Sequence, residues 1–279
     1  MGKFLVFQSD FGLGDGAVSA MKGVASKVDD DLRIYDLTHD ISVFNIFEAS
    51  YRLFQTIEYW PEGTVFVSVV DPGVGTARTS VVARVKGNKY IVTPNNGTLT
   101  HVAKFIGIEE IRIIDETVNR LKGSELSYTF HGRDVYAYTG AKLASGIITY
   151  EQVGAKFDEP VMLELYGSKL DGDKVMGQID ILDVRFGSLW TSVKFEDFKS
   201  LGFVFGDEAQ VTIYKDNNCV YEAKVVYGHS FGDVSVGSPV IYMNSVNHMA
   251  LAINQGNFAD AYRIGVGSNW KISFQKITK

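Results

Sequence analysis

Residues 64–78 read TVFVSVVDPGVGTAR, and this stretch decides the fold. Thr64–Val70 is apolar on both faces, the pattern of a central strand in a parallel sheet covered by helices, not of a strand with one wet face. The strand runs straight into Asp71. Pro72, Gly73 and Gly75 then forbid a regular continuation, and a positive charge returns at Arg78. Open α/β sheets bind ligands outside the carboxyl ends of their strands, so Asp71 is delivered to the edge where chemistry is expected. Taken alone, DPGVG is also simply a good turn.

Outward from this strand the first half alternates. KFLVFQ (3–8) and LRIYDLT (32–38) read as strands and EEIRIID (109–115) as another, while SVVARV and KYIVTP form a hairpin around Gly87-Asn88. Helices are expected over Asp15–Lys27, over Ile46–Trp60, where apolar residues recur at spacings of three and four, and over Asp134–Ser145. Pro61 and Gly63 stop the second of these. This predicts an N-terminal α/β domain over residues 1–160 with a mostly parallel sheet. From about Lys174 only strands and turns are legible: KVMGQIDIL, LWTSVKF, AQVTIY, CVYEAKVVY, SPVIYM, MALAIN and KISFQK. They predict a C-terminal all-β, barrel-like domain over residues 170–279. GAKFDEP and GSKLDGD carry the linker signals between the two.

The 279 residues are 46% hydrophobic and 22% charged, with a formal net charge of −6. That balance suits a soluble protein and gives no electrostatic reason to expect nucleic acid or an anionic membrane. Cys219 is the single cysteine, so no internal disulfide can form and a reducing compartment is expected. The first apolar run is too short for a signal peptide or a membrane span. A cytoplasmic protein is the resulting expectation.

Ionisable residues gather where the strands end. Asp10 and Asp15 follow the first strand, Asp36, His39 and Asp40 the second, Asp71 and Arg78 the third, and His131, Arg133 and Asp134 precede the late helix. Each has a plain alternative. Asp10 and Asp15 suit helix capping, DLTHD suits a turn, and His131 suits packing. GLGDG has GxGxG spacing rather than GxGxxG, and its aspartate would repel a pyrophosphate, which argues against a dinucleotide. A metal site built on Asp10, Asp15, Asp36, His39 and Asp40 is the less favoured reading. His101, His229 and His248 stand isolated. Joint occurrence at one sheet edge is what points to a site.

The ordered series SDFGLGDGAVSAMKG, YDLTHDIS, WPEGTVFVSVVDPGVGTAR, TPNNGTLT, TFHGRDVYA and LAINQGN resembles the S-adenosyl-L-methionine (SAM) hydrolase, or SAM hydroxide adenosyltransferase, family, related to SAM-dependent fluorinases and chlorinases. The resemblance implies attack of water or hydroxide on ribose C5′ of SAM, releasing adenosine and L-methionine, with no cofactor and no metal. It assigns Asp71, Arg78 and His131 as the catalytic set, which halogenating relatives lack. It places Asp10 at the ribose, Asp15 at the methionine ammonium, Phe44 over the sugar, Ser245 near the methionine carboxylate, and Phe186 and Phe231 at the adenine. It also implies a homotrimer, with each site between one subunit's N-terminal domain and a neighbour's C-terminal domain. Three positions depart from the family pattern. Ser188 stands for an adenine-contacting asparagine, Ala17 for a tyrosine and Asn95 for an aspartate. A hydroxyl offers fewer donors than an amide, so a SAM- or adenosine-binding module with little turnover is an alternative beside a halogenase.

Overall fold

In the computed structural model, which describes residues 3–277, the strand read from VFVSV is buried at every position. The chain divides into two compact units that meet in sequence at Leu163 and Glu164. The first contains β1 (Phe4–Ser9), α1 (Ala17–Val28), β2 (Arg33–Thr38), α2 (Ile46–Thr56), β3 (Val65–Val69), β4 (Ser80–Val85), β5 (Lys89–Pro94), α3 (Thr100–Phe105), β6 (Ile108–Ile113), α4 (Glu116–Asn119) and α5 (Tyr138–Ala144). Its six strands run in the order β2-β1-β3-β5-β4-β6. The pairings of β1 with β2 and β3, and of β3 with β5, are parallel. Those of β4 with β5 and β6 are antiparallel. The mixed, largely parallel sheet expected from the sequence is therefore present.

Strand alternation sends side chains to two apolar layers. Leu5, Phe7, Val65, Val67 and Val69 pack with Val18, Met21 and Tyr136 on one side. Val6 and Phe66 pack with Leu53, Ile57 and Val102 on the other. From β1 the chain moves outward to β2, then returns past β1 to β3, so the crevice between the carboxyl ends of β1 and β3 is the topological switch point. The antiparallel β4 starts at that same edge, since Ser80 pairs with Pro94 at the end of β5.

Two helices differ from the periodicity reading. The second helix stops at Thr56 and tightens into a 3₁₀ turn over Ile57–Tyr59. The late helix starts earlier than Asp134: His131 leads into a π-helical turn over Gly132–Ala137, and α5 follows without a break. Gly140 in α5 lies so close to the sheet that an added Cβ would stand 2.6 Å from Val67 Cγ2.

The second unit contains β7 (Lys169–Asp171), β8 (Lys174–Leu182), β9 (Leu189–Lys194), α6 (Phe195–Ser200), β10 (Glu208–Lys215), β11 (Asn218–Tyr227), β12 (Pro239–Met243), β13 (His248–Ile253), α7 (Phe258–Tyr262) and β14 (Trp270–Lys276). Strands β8 to β14 close into a ring through the β14–β8 pairing, the expected barrel. The reading of this half as strands and turns alone needs correction. α6 and α7 are helices of one or two turns, too short to show a helical period, and each buries one phenylalanine, Phe198 or Phe258, in the barrel core. GSKLDGD is likewise no plain linker, because β7 and β8 pair as a hairpin across Gly172-Asp173.

Gly140 makes the packing testable. Gly140→Val should destabilise the protein by about 1–3 kcal/mol, the usual cost of overfilling a close-packed layer, read as a lower urea midpoint. An unchanged midpoint would show that α5 can lift off β3.

Candidate active site

The third strand ends and Asp71 follows at the sheet edge. The chain turns back at once, with Val74 N–H donating to Asp71 C=O at 3.2 Å and Thr76 N–H to Gly73 C=O at 3.1 Å. Gly75 has φ +77°, and a Cβ there would meet the Tyr128 carbonyl at 3.2 Å, so this position needs glycine twice over. The turn returns Arg78 to Asp71. Arg78 Nε donates to Asp71 Oδ1 at 2.7 Å, and Arg78 Nη2 donates to Oδ2. The pair is two-pronged and largely desolvated, with side-chain exposures of 10% for Arg78 and 6% for Asp71.

His131 arrives from the π-helical turn. Gly132 lies against Met21, Val69 and Phe11, where an added Cβ would come within 3.2–3.3 Å of each. This close approach seats the turn beside the end of β3 and sets His131 Nδ1 2.9 Å from Arg78 Nη2. A guanidinium only donates, so Nδ1 is the acceptor and the ring proton of the neutral imidazole sits on Nε2. His131 Nε2 is buried and has no hydrogen-bond partner among the described residues. Burial first, and the charge of Arg78 second, lower the His131 pKa below its ordinary value of 6.5, with Arg120 adding to this and Glu116 and Asp71 opposing it. For Arg78, burial is the largest single influence and opposes the charged form, but the bond to Asp71 and the surrounding negative charges together exceed it, and the pKa is raised.

Two further residues complete this cluster, and the sequence reading did not single them out. Arg78 Nη1 donates to Ser80 Oγ at 3.0 Å, Ser80 Oγ donates to Tyr136 OH at 3.2 Å, and Tyr136 OH donates to Asp71 Oδ2 at 3.4 Å. His131 and Tyr136 are five residues apart, about 140° apart around an ordinary α-helix. The wider π turn brings them together, with ring centroids 6.5 Å apart.

The β1 loop supplies Asp10, whose Oδ2 accepts the Phe44 backbone N–H at 2.9 Å. Phe44 has φ +65° and is 68% exposed. A bulky side chain in the left-handed region is uncommon and strained, so Asp10 pins a conformation that holds an aromatic ring out of the core. Asp15 is exposed, and its Oδ1 accepts the Ala17 N–H at 2.8 Å, the helix-start role that its plain reading gave it. Both ring nitrogens of His39 are taken, Nδ1 by Ser9 Oγ at 2.7 Å and Nε2 by Asp36 Oδ1 at 3.0 Å. Among the described residues, the His, Cys, Asp or Glu groups with converging ligand atoms are Asp29, Asp30 and Asp31, so Asp10, Asp15, Asp36, His39 and Asp40 do not form a metal cage. Asn95 accepts the Val161 N–H at 2.8 Å, and Ala17 is the first residue of α1.

The second unit has a cavity of its own. Phe186, Ser188 and Phe231 line one cavity of about 690 Å³, together with Arg185 and the segment Ile253–Asn257. Gly187 (φ +62°) lets the loop close on Asn257, since a Cβ would overlap that amide. Ser188 is 1% exposed, and its side chain lies near enough to the Tyr242 phenol to bear on its ionisation, while Trp190 Nε1 donates to that phenol at 3.2 Å. Phe231 packs on Tyr242 with centroids 4.9 Å apart. Ser245 is not brought to this cavity. It lies exposed in the β12–β13 turn, where Asn244 Oδ1 takes the Val246 and His248 N–H groups.

Comparison with known proteins gives a consistent picture. Residues 5–154 match the SAM hydroxide adenosyltransferase N-terminal domain, and residues 177–271 match its C-terminal domain. The chain is 36% identical over 217 residues to a protein named (R)-S-adenosyl-L-methionine hydrolase from Methanocaldococcus jannaschii, covering 76% of this chain and 74% of that one. It is 26% identical over 296 residues to a fluorinase from Actinopolyspora mzabensis, covering 96% of each. The fold is similar to the crystal structure of an uncharacterized conserved protein from Thermotoga maritima, with a TM-score of 0.89 and 32% identity over 98% of this chain and 100% of that one.

The His131 environment predicts a pH signature. The unfolded chain takes up the imidazole proton near pH 6.5, but the folded site resists it to lower pH. The contribution of His131 to stability is therefore complete above about pH 6.5. It declines as pH falls towards the lowered folded value. NMR titration should place the His131 midpoint below that of an unstructured histidine, and a midpoint at or above the ordinary value would contradict the Arg78 geometry.

Proposed function

The chain belongs to the SAM hydroxide adenosyltransferase family, and from that premise we propose that it hydrolyses S-adenosyl-L-methionine to adenosine and L-methionine. The observation that carries this reading is the buried, unpartnered His131 Nε2 beside the Arg78–Asp71 pair, at the carboxyl edge of the sheet. An N–H donor next to a guanidinium suits a small oxygen nucleophile with negative charge.

The chemistry asks little else of the protein. The oxygen of hydroxide attacks ribose C5′. The C5′–S bond breaks, and its electron pair stays on sulfur, giving a neutral thioether. The sulfonium leaves without needing a proton, so the task is to hold and aim the nucleophile. Water as the resting species must lose one proton to solvent. Asp71 is poorly placed to take it, because both of its oxygens accept bonds from Arg78. Its role is to fix Arg78 and balance its charge. His131 Nε2–H donates to the attacking oxygen and leaves a lone pair directed at C5′. An anion and a cation neutralise each other along this path, so a dry site favours the step over bulk water.

Asp10 Oδ1 is assigned to a ribose hydroxyl, Phe44 to the sugar face and Asp15 to the methionine ammonium. Phe186 and Phe231 are assigned to the adenine, with Ser188 beside them in the same cavity. Ser245 is assigned to the methionine carboxylate on the family resemblance. The expected assembly is a cytoplasmic homotrimer that pairs the first unit of one copy with the second unit of a neighbour. The (R)-epimer specified in the names of several relatives is the epimer expected to react here.

Incubation of purified protein with (R)-SAM, with and without chloride or fluoride, should yield adenosine and methionine and no 5′-halo-adenosine on chromatography, while the other epimer should be left unreacted. A halo-nucleoside would establish the halogenase reading, bound adenosine without turnover the binding-module reading, and loss of activity in EDTA a metal-dependent one. Asp71→Asn should lower kcat by about 10²–10³-fold, as for loss of a preorganised electrostatic group, with SAM binding largely kept. Phe231→Ala should weaken adenosine binding roughly 2–10-fold, the range for one aromatic stack, in calorimetry.

A further inference from the structure

We propose that Ser80 and Tyr136 are positioning residues for this reaction, forming with Arg78 and Asp71 a closed ring of hydrogen bonds that fixes how Arg78 presents His131. The inference rests on the reaction proposed above. Its physical basis is the fixed proton order of the ring. Arg78 has donors only, so Ser80 Oγ must accept from Arg78 Nη1 at 3.0 Å. The one hydroxyl proton of Ser80 is then free for Tyr136 OH at 3.2 Å, and the phenolic proton of Tyr136 goes to Asp71 Oδ2 at 3.4 Å. Asp71 closes the circuit by accepting from Arg78 Nε and Nη2. No other direction satisfies a guanidinium and a carboxylate at once.

The ring is built into rigid structure. Ser80 is the first residue of β4, and Tyr136 lies in the π-helical turn that carries His131. Ser80 is 4% exposed and Tyr136 is fully buried. Tyr136 also lies against the guanidinium, whose Cζ is 5.6 Å from the ring centroid. Burial first, and the Asp71 charge second, push the phenol far above its ordinary pKa, so it remains a donor across the working pH range. Neither residue adds a free polar group to the site. What they add is restraint: Ser80 holds one Nη and Tyr136 holds the far carboxylate oxygen, so the guanidinium cannot roll about its long axis. The remaining Nη2 then stays on His131 Nδ1. That contact decides the tautomer, and the tautomer decides whether Nε2 offers a proton to the nucleophile.

The test uses the full chain and the variants Tyr136→Phe, Ser80→Ala and Ser80→Thr. Tyr136→Phe and Ser80→Ala should each lower kcat by about 10–100-fold, the usual cost of losing a partner that orients a site group, with little change in KM. Ser80→Thr, which keeps the hydroxyl, should restore most of the rate. The double variant should be little worse than the worse single one, because one ring is broken in either case. Unchanged kcat in Tyr136→Phe and Ser80→Ala, with wild-type turnover intact, would overturn the inference. So would a rise in KM matching the fall in kcat, or failure of Ser80→Thr to rescue a folded protein. ¹⁵N NMR of His131 gives a readout that needs no turnover. The wild type should carry its proton on Nε2, and Tyr136→Phe should mix in the other tautomer and move the titration toward the ordinary value. If wild type fails to hydrolyse SAM, the functional reading falls, and this spectrum alone decides the ring: an unchanged tautomer in Tyr136→Phe overturns it.

Discussion

The arrangement depends on a desolvated ion pair. Arg78 and Asp71 meet at two points while mostly withdrawn from water. Taking two charges out of water costs more than their mutual attraction returns unless the geometry is good and the remaining hydrogen-bonding capacity is used. Removing one partner of such a pair costs about 3–5 kcal/mol, whereas an apolar pair of similar shape is often no less stable. The pair is therefore a poor device for stabilising a fold, and the structure around it is better understood as holding it for a site. The DPGVG turn sets its separation, Ser80 takes a guanidinium N–H that would otherwise be orphaned, and Tyr136 occupies the second carboxylate oxygen.

Backbone proximity makes the pair usable. Asp71 stands just past the end of β3, held by two bonds from Arg78, and His131 is brought to the pair from another element. This is possible because Gly132 lets the helix start press on Val69 and Met21, and because Gly140 lets α5 lie directly on Val67. The π-helical turn between these glycines absorbs the mismatch between where the helix must pack and where His131 must point. π turns occur often at functional sites. Here the insertion places His131 and Tyr136 on one face, which an uninterrupted α-helix would not do.

Much of this was legible in the sequence, and the gaps have physical reasons. Thr64–Val70 announced a buried parallel strand because both of its faces are apolar, and Gly87-Asn88 announced the hairpin because both residues take positive φ. The gathering of ionisable residues at one sheet edge was expected from their places at strand and helix ends, and the family resemblance singled out Asp71, Arg78 and His131; Arg78 bonds to both of the others. Phe186, Ser188 and Phe231 share a cavity, though nothing in local sequence shows that Ser188 is buried there. Ser80 and Tyr136 were silent because each sits inside a regular element and reads as core. The π turn has no period of its own, and the helices over Phe195–Ser200 and Phe258–Tyr262 are too short to show one. The strained Phe44 was invisible as geometry, because nothing in local sequence marks a phenylalanine for the left-handed region.

The charge balance of the site follows from these contacts. A lone arginine would attract hydroxide, but it would also repel a sulfonium placed a few ångströms away, and in a dry cavity that repulsion is large. A lone aspartate would attract the sulfonium and repel the nucleophile. Bound to each other, Arg78 and Asp71 are nearly neutral to both, and they still leave a directed N–H array through His131. The imidazole has to be neutral for the same reason: a second cation here would meet Arg78 and the substrate together. Holding His131 Nδ1 against a guanidinium enforces that neutrality without adding charge. A site for an anion attacking a cation is then served best by groups that carry direction but little net charge, and the closed hydrogen-bonded ring around Arg78 is a way to build one.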